Sequence, residues 1–360
     1  MKQRGKILNS ITIPEELSGL AKLSKQELVE ELGIEVFRDV LLNIFLGKNV
    51  RNFTEALTRN RLLQSNIALW KFFCEQKKLG VSPLDLIPVA KEKLLNGRLS
   101  PKDRAVYEWL VAMTNKQTQN VLRKSHDKEF DDLTQATLEM LDKELLEGHS
   151  YISHGAVLGE EGIAFTFKEM CWISLVLGSQ TLTIRGSEKS LHGKYFEKLI
   201  LGSIFQILGL KLLEVEDISQ NGFWLSSQHE DRREADGTIV NDNVGIRVDI
   251  GFIGPGNSEI TLDKVSRFTK FDEISGKRYE MSTIVIVDTL GEKSKARELA
   301  KKIEGEIICM SDPNWVLELA AQVSEKLSID NPLKDVLAEN LENYISEKLK
   351  TVDLNRLINY

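Results

Sequence analysis

The stretch from Arg233 to Lys264, READGTIVNDNVGIRVDIGFIGPGNSEITLDK, constrains this chain more than any other. It reads as a β-hairpin. Glu234 to Val240 forms one strand. From Gly245 to Ile253 the apolar Ile246, Val248, Ile250 and Phe252 alternate with Gly245, Arg247, Asp249 and Gly251. That period of two marks a half-buried strand, and Asn241-Asp242-Asn243 supplies turn chemistry between the two. Each strand carries an acid, Asp236 on the first and Asp249 on the second, thirteen positions apart. Pairing about the turn brings the two carboxylates side by side. Acids held this way repel unless a cation lies between them, and hard oxygen ligands suit Mg²⁺.

The rest of the composition sets bounds on this reading. A chain of 360 residues builds two domains or one large one. With 42% hydrophobic and 28% charged residues it is an ordinary folded protein rather than a disordered one. The longest apolar candidate, Met170 to Leu182, falls short of the roughly 18 to 20 residues of a membrane span and contains Ser174, Gly178, Ser179 and Gln180. The start, MKQRGKILNSITIPEEL, has basic residues but no apolar core with a cleavage site, so no signal peptide is expected. Cys74, Cys171 and Cys309 are scattered, without zinc-ligand spacing or a disulfide framework. The expected location is cytoplasmic. A net charge of −7 does not advertise nucleic-acid binding, although a local basic cleft is compatible with acidic outer faces.

Residues 1–150 read as an all-helical N-terminal domain. Ser24-Lys25-Gln26-Glu27 is a capping-box signature, and Ser100-Pro101 opens a helix through Val111. Phe37, Val40, Leu41, Ile44 and Phe45 recur at helical spacing. Arg51, Arg59 and Arg61 are either phosphate contacts at helix ends or part of a solvated face. From Tyr151 the texture changes. Short strands are expected at 163–167 and 180–184, then a helix from Lys194 to Leu208 that carries Glu197 among apolar residues. Glu197 is either an exposed helical glutamate or an acid aimed at the pair. Another short strand follows at 223–226, then the hairpin, then a helix from about Thr261 through Phe271. The β-branched run Ile284-Val285-Ile286-Val287 marks a buried strand. A helix at 293–303, a strand at 306–310 and a helix at 313–327 complete a second domain over 151–330. Residues 331–360 read as a helical tail. His154, His192 and His229 share no ligand spacing, and no phosphate-binding or nucleophile-elbow motif stands between a strand and a helix.

The order of a helix with an acid, a strand with Asp236, a strand with Asp249, a helix and a strand resembles the PD-(D/E)XK nuclease superfamily. The block GSEKSLHGKYFEKLILGSIFQILG, with READG and RVDIGFIGPGNSEITLDKVSRF, is similar to type II restriction endonucleases of the CfrBI-like group. The resemblance covers roughly residues 180–310. It implies a restriction-endonuclease-like α/β (α+β) core, a mixed β-sheet flanked by helices. It also implies Mg²⁺-assisted phosphodiester hydrolysis, with Asp236, Asp249 and the backbone carbonyl of Ile250 on the metal. Glu197 would orient the metal's waters or serve a second ion.

The sequence departs from the family's pattern twice. Ala235 stands where the family often has proline. More consequentially, the (D/E)-x-K triplet here is Asp249-Ile250-Gly251, so its lysine is absent, and Lys264 at the next helix is the candidate to fill that place. A second register takes Asp249 as the first acid and Glu259 as the second; in the preferred register Glu259 is a supporting or second-metal ligand. Arg232 and Arg233, beside the site, suit phosphate contacts. The function implied is that of a type II restriction endonuclease acting as a homodimer on a short double-stranded DNA site, with a companion methyltransferase. In that scheme the helical domain supplies DNA recognition or dimer contacts. The alternatives are a repair or phage-defence nuclease, and a non-catalytic DNA-binding or assembly protein whose nuclease core has decayed.

Overall fold

The computed structural model describes residues 11–22, 24–49, 51–122, 127–146, 156–158, 162–214, 221–226, 235–251, 271–274, 277–289 and 305–360. The helices are α1 (Glu15–Ala21), α2 (Lys25–Leu32), α3 (Ile34–Phe45), α4 (Arg51–Lys78), α5 (Leu86–Asn96), α6 (Pro101–Leu110), α7 (Asn115–Val121), α8 (Lys128–Leu146), α9 (Phe167–Ile207), α10 (Trp315–Leu327), α11 (Leu341–Thr351) and α12 (Leu354–Asn359). The strands are β1 (Ala156–Leu158), β2 (Ile163–Phe165), β3 (Gly222–Leu225), β4 (Gly237–Asn241), β5 (Val244–Gly251), β6 (Phe271–Ile274), β7 (Lys277–Val287) and β8 (Gly305–Cys309). The chain forms two compact units, one of residues Met1–Ser24 with Glu55–Lys189, the other of Lys25–Thr54 with Ser190–Tyr360.

Among the described residues the first unit is helical apart from the paired strands β1 and β2. Its core gathers Leu17, Leu69, Phe72, Phe73, Val106, Trp109, Trp172 and Ile173. Polar groups fasten the helix ends. Ser100 accepts a hydrogen bond from the Asp103 amide at 3.0 Å and so caps α6. Buried Glu169 accepts from the Thr166 amide at 2.8 Å, closing the first turn of α9, and from the Ser82 hydroxyl at 2.6 Å.

The strand expected at 180–184 is instead the middle of α9. Ile173, Val176, Gln180 and Ile184 are all fully buried, which is a helical stripe. Leu182, which alternation would bury beside Ile184, is 65% exposed. The alternation was local, and packing along the whole helix overrode it.

The second unit is built on a mixed sheet of order β3-β4-β5-β7-β6, with β8 also pairing β7. The hairpin is present as expected, with Gly237 opposite Val248 and Asn241 opposite Val244. Its turn holds Asp242 at φ +53°, a conformation aspartate tolerates better than most residues, and Asn221 accepts from the Asp242 amide at 2.9 Å. On its other side β5 runs parallel to β7, which runs parallel to β8. The expectation of a half-buried strand is corrected here. β5 is the inner strand, and from Gly245 to Gly251 every residue is buried, so Arg247 and Asp249 face protein and not bulk water.

One face of the sheet is covered by the last turns of α9. A side chain on Gly237 would meet Phe205 at 3.0 Å and Leu201 at 3.3 Å. Phe205 also stacks edge-on against Phe223, 5.1 Å between ring centroids. Helix α10 packs on β5 and β8, and its Trp315 indole donates to the Ile44 carbonyl at 2.9 Å. Phe37 of α3 sits edge-on to Tyr195 at 5.5 Å. These contacts place residues 25–54 with the sheet, although they read locally as part of the helical N-terminal region. The tail also belongs to this unit, with Leu357 of α12 against Gly202. Phe271 opens β6 rather than ending a helix. The rest of that expected helix and the one at 293–303 lie outside the described residues.

Three glycines of α9, Gly178, Gly186 and Gly202, separate helix propensity from packing. Nothing lies within 4 Å of a methyl group added at Gly178 or Gly186, whereas one at Gly202 would lie 2.5 Å from Leu357. Gly178→Ala and Gly186→Ala are each expected to stabilise the protein by about 0.5–1 kcal/mol in urea unfolding. Gly202→Ala is expected to destabilise it by about 1–3 kcal/mol through overpacking. If Gly186→Ala destabilised the protein, the continuous helix would be wrong.

Candidate active site

The site is assembled by the hairpin register. Since Gly237 opposes Val248, continuing the ladder one step sets Asp236 opposite Asp249. Two crossed hydrogen bonds fix this arrangement. The Asp236 amide donates to Oδ1 of Asp249 at 3.2 Å, and the Ile250 amide donates to Oδ2 of Asp236 at 2.9 Å. The Asp236 carbonyl accepts in turn from the Ser226 amide at 3.1 Å, tying the acid to β3 as well. Each carboxylate is thus oriented by the backbone of the strand carrying the other. Asp249 is only 4% exposed and Asp236 is half-buried. Two carboxylates in such surroundings are costly without positive charge nearby.

Strand alternation defines what else shares their face. Residues paired across strands point the same way, and same-face neighbours along a strand are two apart. Arg247 therefore lies on the face of Asp249, in a row with Thr238 of β4 and Thr283 of β7. All three are buried, Arg247 to 6% exposure. Beyond them the same face turns apolar, with Trp224, Val240, Tyr279 and Met281 in one cluster with Leu213. The opposite face carries Ile246, Val248 and Ile250, all fully buried, so Ile250 offers the site its backbone alone.

Glu197 sits on α9 in a stripe with Leu201 and Phe205, at intervals of four residues. Phe205 packs on Phe223, whose strand partner is Ile239, and Leu201 reaches Gly237. Four helical residues advance about 6 Å and two strand residues about 6.8 Å. The next residue of this stripe, Glu197, is half-buried, and the stripe covers the sheet face of Gly237 and Ile239, opposite that of Arg247 and Asp249.

The other expected site residues fall into three groups. Gly251 ends β5 opposite Val287, and its carbonyl accepts from the Asp288 amide at 3.2 Å, so no lysine projects from that strand position. Glu259, Lys264, Arg232 and Arg233 lie outside the described residues, as does the side chain of Arg51. Arg59 is exposed on α4, available to a ligand. Arg61 is not. It is 5% exposed and clamps the Leu20 carbonyl through Nε at 3.0 Å and Nη2 at 2.9 Å, which makes it a buried tie between helices and corrects its reading as a phosphate contact.

Two residues were missed from sequence. Arg247 was assigned to a solvent face because the strand alternates, although its flanking strands are themselves apolar runs. Asp288, 6% exposed at the end of β7 beside Gly251, follows a β-branched run and reads as a strand terminator.

The donor set around the pair is carboxylate oxygen, which fits a hard divalent cation. Among the described residues no group of three or more His, Cys, Asp or Glu side chains is clustered as a metal site. Magnesium commonly takes one or two protein carboxylates and completes its shell with water and substrate phosphate, so two acids suffice as the described contribution. No helix of the described residues is long and apolar enough to cross a membrane.

Comparison with known proteins identifies the family. The model of the CfrBI restriction endonuclease family matches residues 34–295, which include α9 from Phe167 to Ile207 and the whole hairpin. Type II restriction enzyme CfrBI from Citrobacter freundii is 46% identical over 348 residues, covering 96% of this chain and 97% of that enzyme. No solved structure matches. The family match holds Glu197, Asp236 and Asp249 together within one span, and the chain belongs to the CfrBI restriction endonuclease family.

Proposed function

We propose that Asp236 and Asp249 hold the Mg²⁺ with which this protein cuts duplex DNA. The chain is a type II restriction endonuclease, a site-specific deoxyribonuclease. The observation that carries the catalytic reading is the crossed pair of backbone hydrogen bonds, which orients two acids on one rigid hairpin. When bound, the cation would polarise the scissile phosphate, lower the pKa of a water and stabilise the leaving oxygen.

The chain's own residues prepare that chemistry. The Ile250 and Asp236 amides prevent the carboxylates from rotating away, so little reorganisation remains when substrate arrives. The Ile250 carbonyl supplies a further oxygen donor. Glu197 of α9 would orient water at the cation. Lys264 is the proposed support for the attacking water in place of the absent strand lysine, with Glu259 as a supporting ligand. Arg232, Arg233, Arg51 and exposed Arg59 contribute phosphate contacts. We further propose a homodimer whose symmetry mirrors a short palindromic site. It would work in the cytoplasm beside a methyltransferase that protects host DNA.

The experiment is cleavage of unmodified plasmid or phage DNA with Mg²⁺ against EDTA. Discrete bands only with Mg²⁺ are expected. Asp236→Asn and Asp249→Asn retain a side-chain oxygen for the backbone amides, so both variants should fold. Each should lower the single-turnover cleavage rate by about three orders of magnitude, the several kcal/mol of charge stabilisation a metal supplies. Full activity in either variant would remove that acid from the centre. Intact DNA with retained binding would overturn the catalytic reading in favour of a decayed core, the reading that Gly251 in the lysine position supports.

Glu197→Gln tests the helix ladder. It is expected to raise the half-saturating Mg²⁺ concentration and to cost roughly 10- to 100-fold in rate, the range for residues that tune a metal from its surroundings. An unchanged Mg²⁺ dependence would place Glu197 off the site.

A further inference from the structure

We propose that α7 is a base-reading helix, and that Lys116 and Asn120 on its outer side contact base edges of the DNA site and help set which sequence is cut. This rests on the chain acting at a specific duplex site, and not on which acids hold the metal. The frame is a helix-turn-helix. Helix α6 ends at Leu110, four residues turn, and α7 starts at Asn115. The turn is closed by Ala112 at φ +56°, a left-handed position that glycine usually fills. Its amide donates to the Trp109 carbonyl at 2.7 Å, and the Met113 amide donates to the Glu108 carbonyl at 3.0 Å. The Thr114 amide then donates to Gln117 Oε1 at 2.8 Å, which starts α7. A polar chain fastens the second helix to the first. Buried Glu108 accepts from Arg104 Nε at 3.1 Å and from Asn115 Nδ2 at 2.8 Å, and Asn115 Oδ1 accepts from Gln119 Nε2 at 2.9 Å.

The seating of α7 decides which side chains it offers. Thr118 is fully buried, and Val111, Met113 and Leu122 belong to the core of the unit. Lys116 and Asn120 stand two residues to either side of Thr118, each about 160° around the helix from it, and both are exposed. Asn115 and Gln117 hold the helix in place, which leaves Lys116 and Asn120 for DNA. The chemistry of this outer side differs from an ordinary solvated face. The next helix, α8, exposes Glu129, Asp131, Asp132, Glu139 and Asp142, charges that repel DNA. From Trp109 to His126, by contrast, the sequence holds no aspartate or glutamate, in a chain of net charge −7. A primary amide presents a donor and an acceptor together, which match N6 and N7 of adenine, and an ammonium donates to O6 and N7 of guanine. In a helix-turn-helix it is the second helix that brings such groups to the major groove.

The test uses the full-length protein on unmodified phage DNA. Sequencing the ends of the wild-type digest gives the site, and duplexes are then made with that site and with each of its base pairs changed singly. Lys116→Ala and Asn120→Ala are expected to keep the wild-type Tm, because both side chains are exposed. Each is expected to slow single-turnover cleavage of the intact site about 10- to 100-fold, the discrimination that a bidentate base contact carries. Cleavage of the duplex changed at the contacted base pair should fall much less, so discrimination at that pair is lost. Gel-shift affinity in EDTA should follow the same pattern, which separates reading from cutting. Gln135→Ala, exposed on α8, should leave both measurements unchanged. An equal loss on every duplex would make the contacts sequence-independent, and no loss on any would make the face merely solvated; either result overturns the proposal. Full activity of the Asp236 and Asp249 variants would remove the acid reading and leave this comparison of duplexes standing.

Discussion

A slip of β5 by one residue against β4 would send every side chain of β5 to the opposite face. Asp249 would then point into the Leu201 and Phe205 contacts of α9, and the two acids would no longer oppose each other. Several interactions hold the register against this. The two-residue turn is closed by Asp242 in a left-handed conformation and tied to Asn221. Ile239 and Ile246 are paired and fully buried on the helix face. Gly237 is the residue over which Leu201 and Phe205 close, and any larger side chain there would lift the helix. The crossed bonds of Asp236 and Asp249 fit the same register. The geometry of the acid pair and the strand register are thus the same property of the molecule.

The parallel arrangement of β5 with β7 adds a further requirement. An inner strand is covered on both faces, so the acid face is a polar row inside protein. Threonines flank Arg247 across both neighbouring strands, and polar positions give way to Trp224, Val240 and Met281 within one step along the sheet. Such a boundary concentrates electrostatic effects, because charges in a low-dielectric surrounding act over longer distances than in water. A cation held by the acids would therefore feel any charge within this row more strongly than in water.

Local chemistry was legible in the sequence, and long-range packing was not. The Asn-Asp-Asn turn, the pairing of Asp236 with Asp249, the Ile284–Val287 strand and the helix around Glu197 all follow from residue patterns a few positions long. The strand wrongly read at 180–184 shows the limit, since Leu182 and Ile184 alternate over a window too short to reveal that Ile173, Val176 and Gln180 continue a helical stripe. The grouping of residues 25–54 with the sheet depends on Phe37 meeting Tyr195 and on Trp315 bonding Ile44, contacts between segments far apart in the chain. The burial of Arg247 follows from β7 lying beside β5, which the hairpin alone does not specify.

The glycine at position 251 divides a task that one lysine performs elsewhere. A lysine near a reacting water can stabilise negative charge and can also exchange a proton, because burial shifts its pKa readily. Arginine can do only the first, since it does not deprotonate in proteins. Arg247, on the inner side of Asp249, is therefore suited to holding charge and unsuited to moving protons. With no side chain at Gly251, a proton-transferring group would have to come from another position in the chain or from water. Glycine at that position carries no side chain that could take either part.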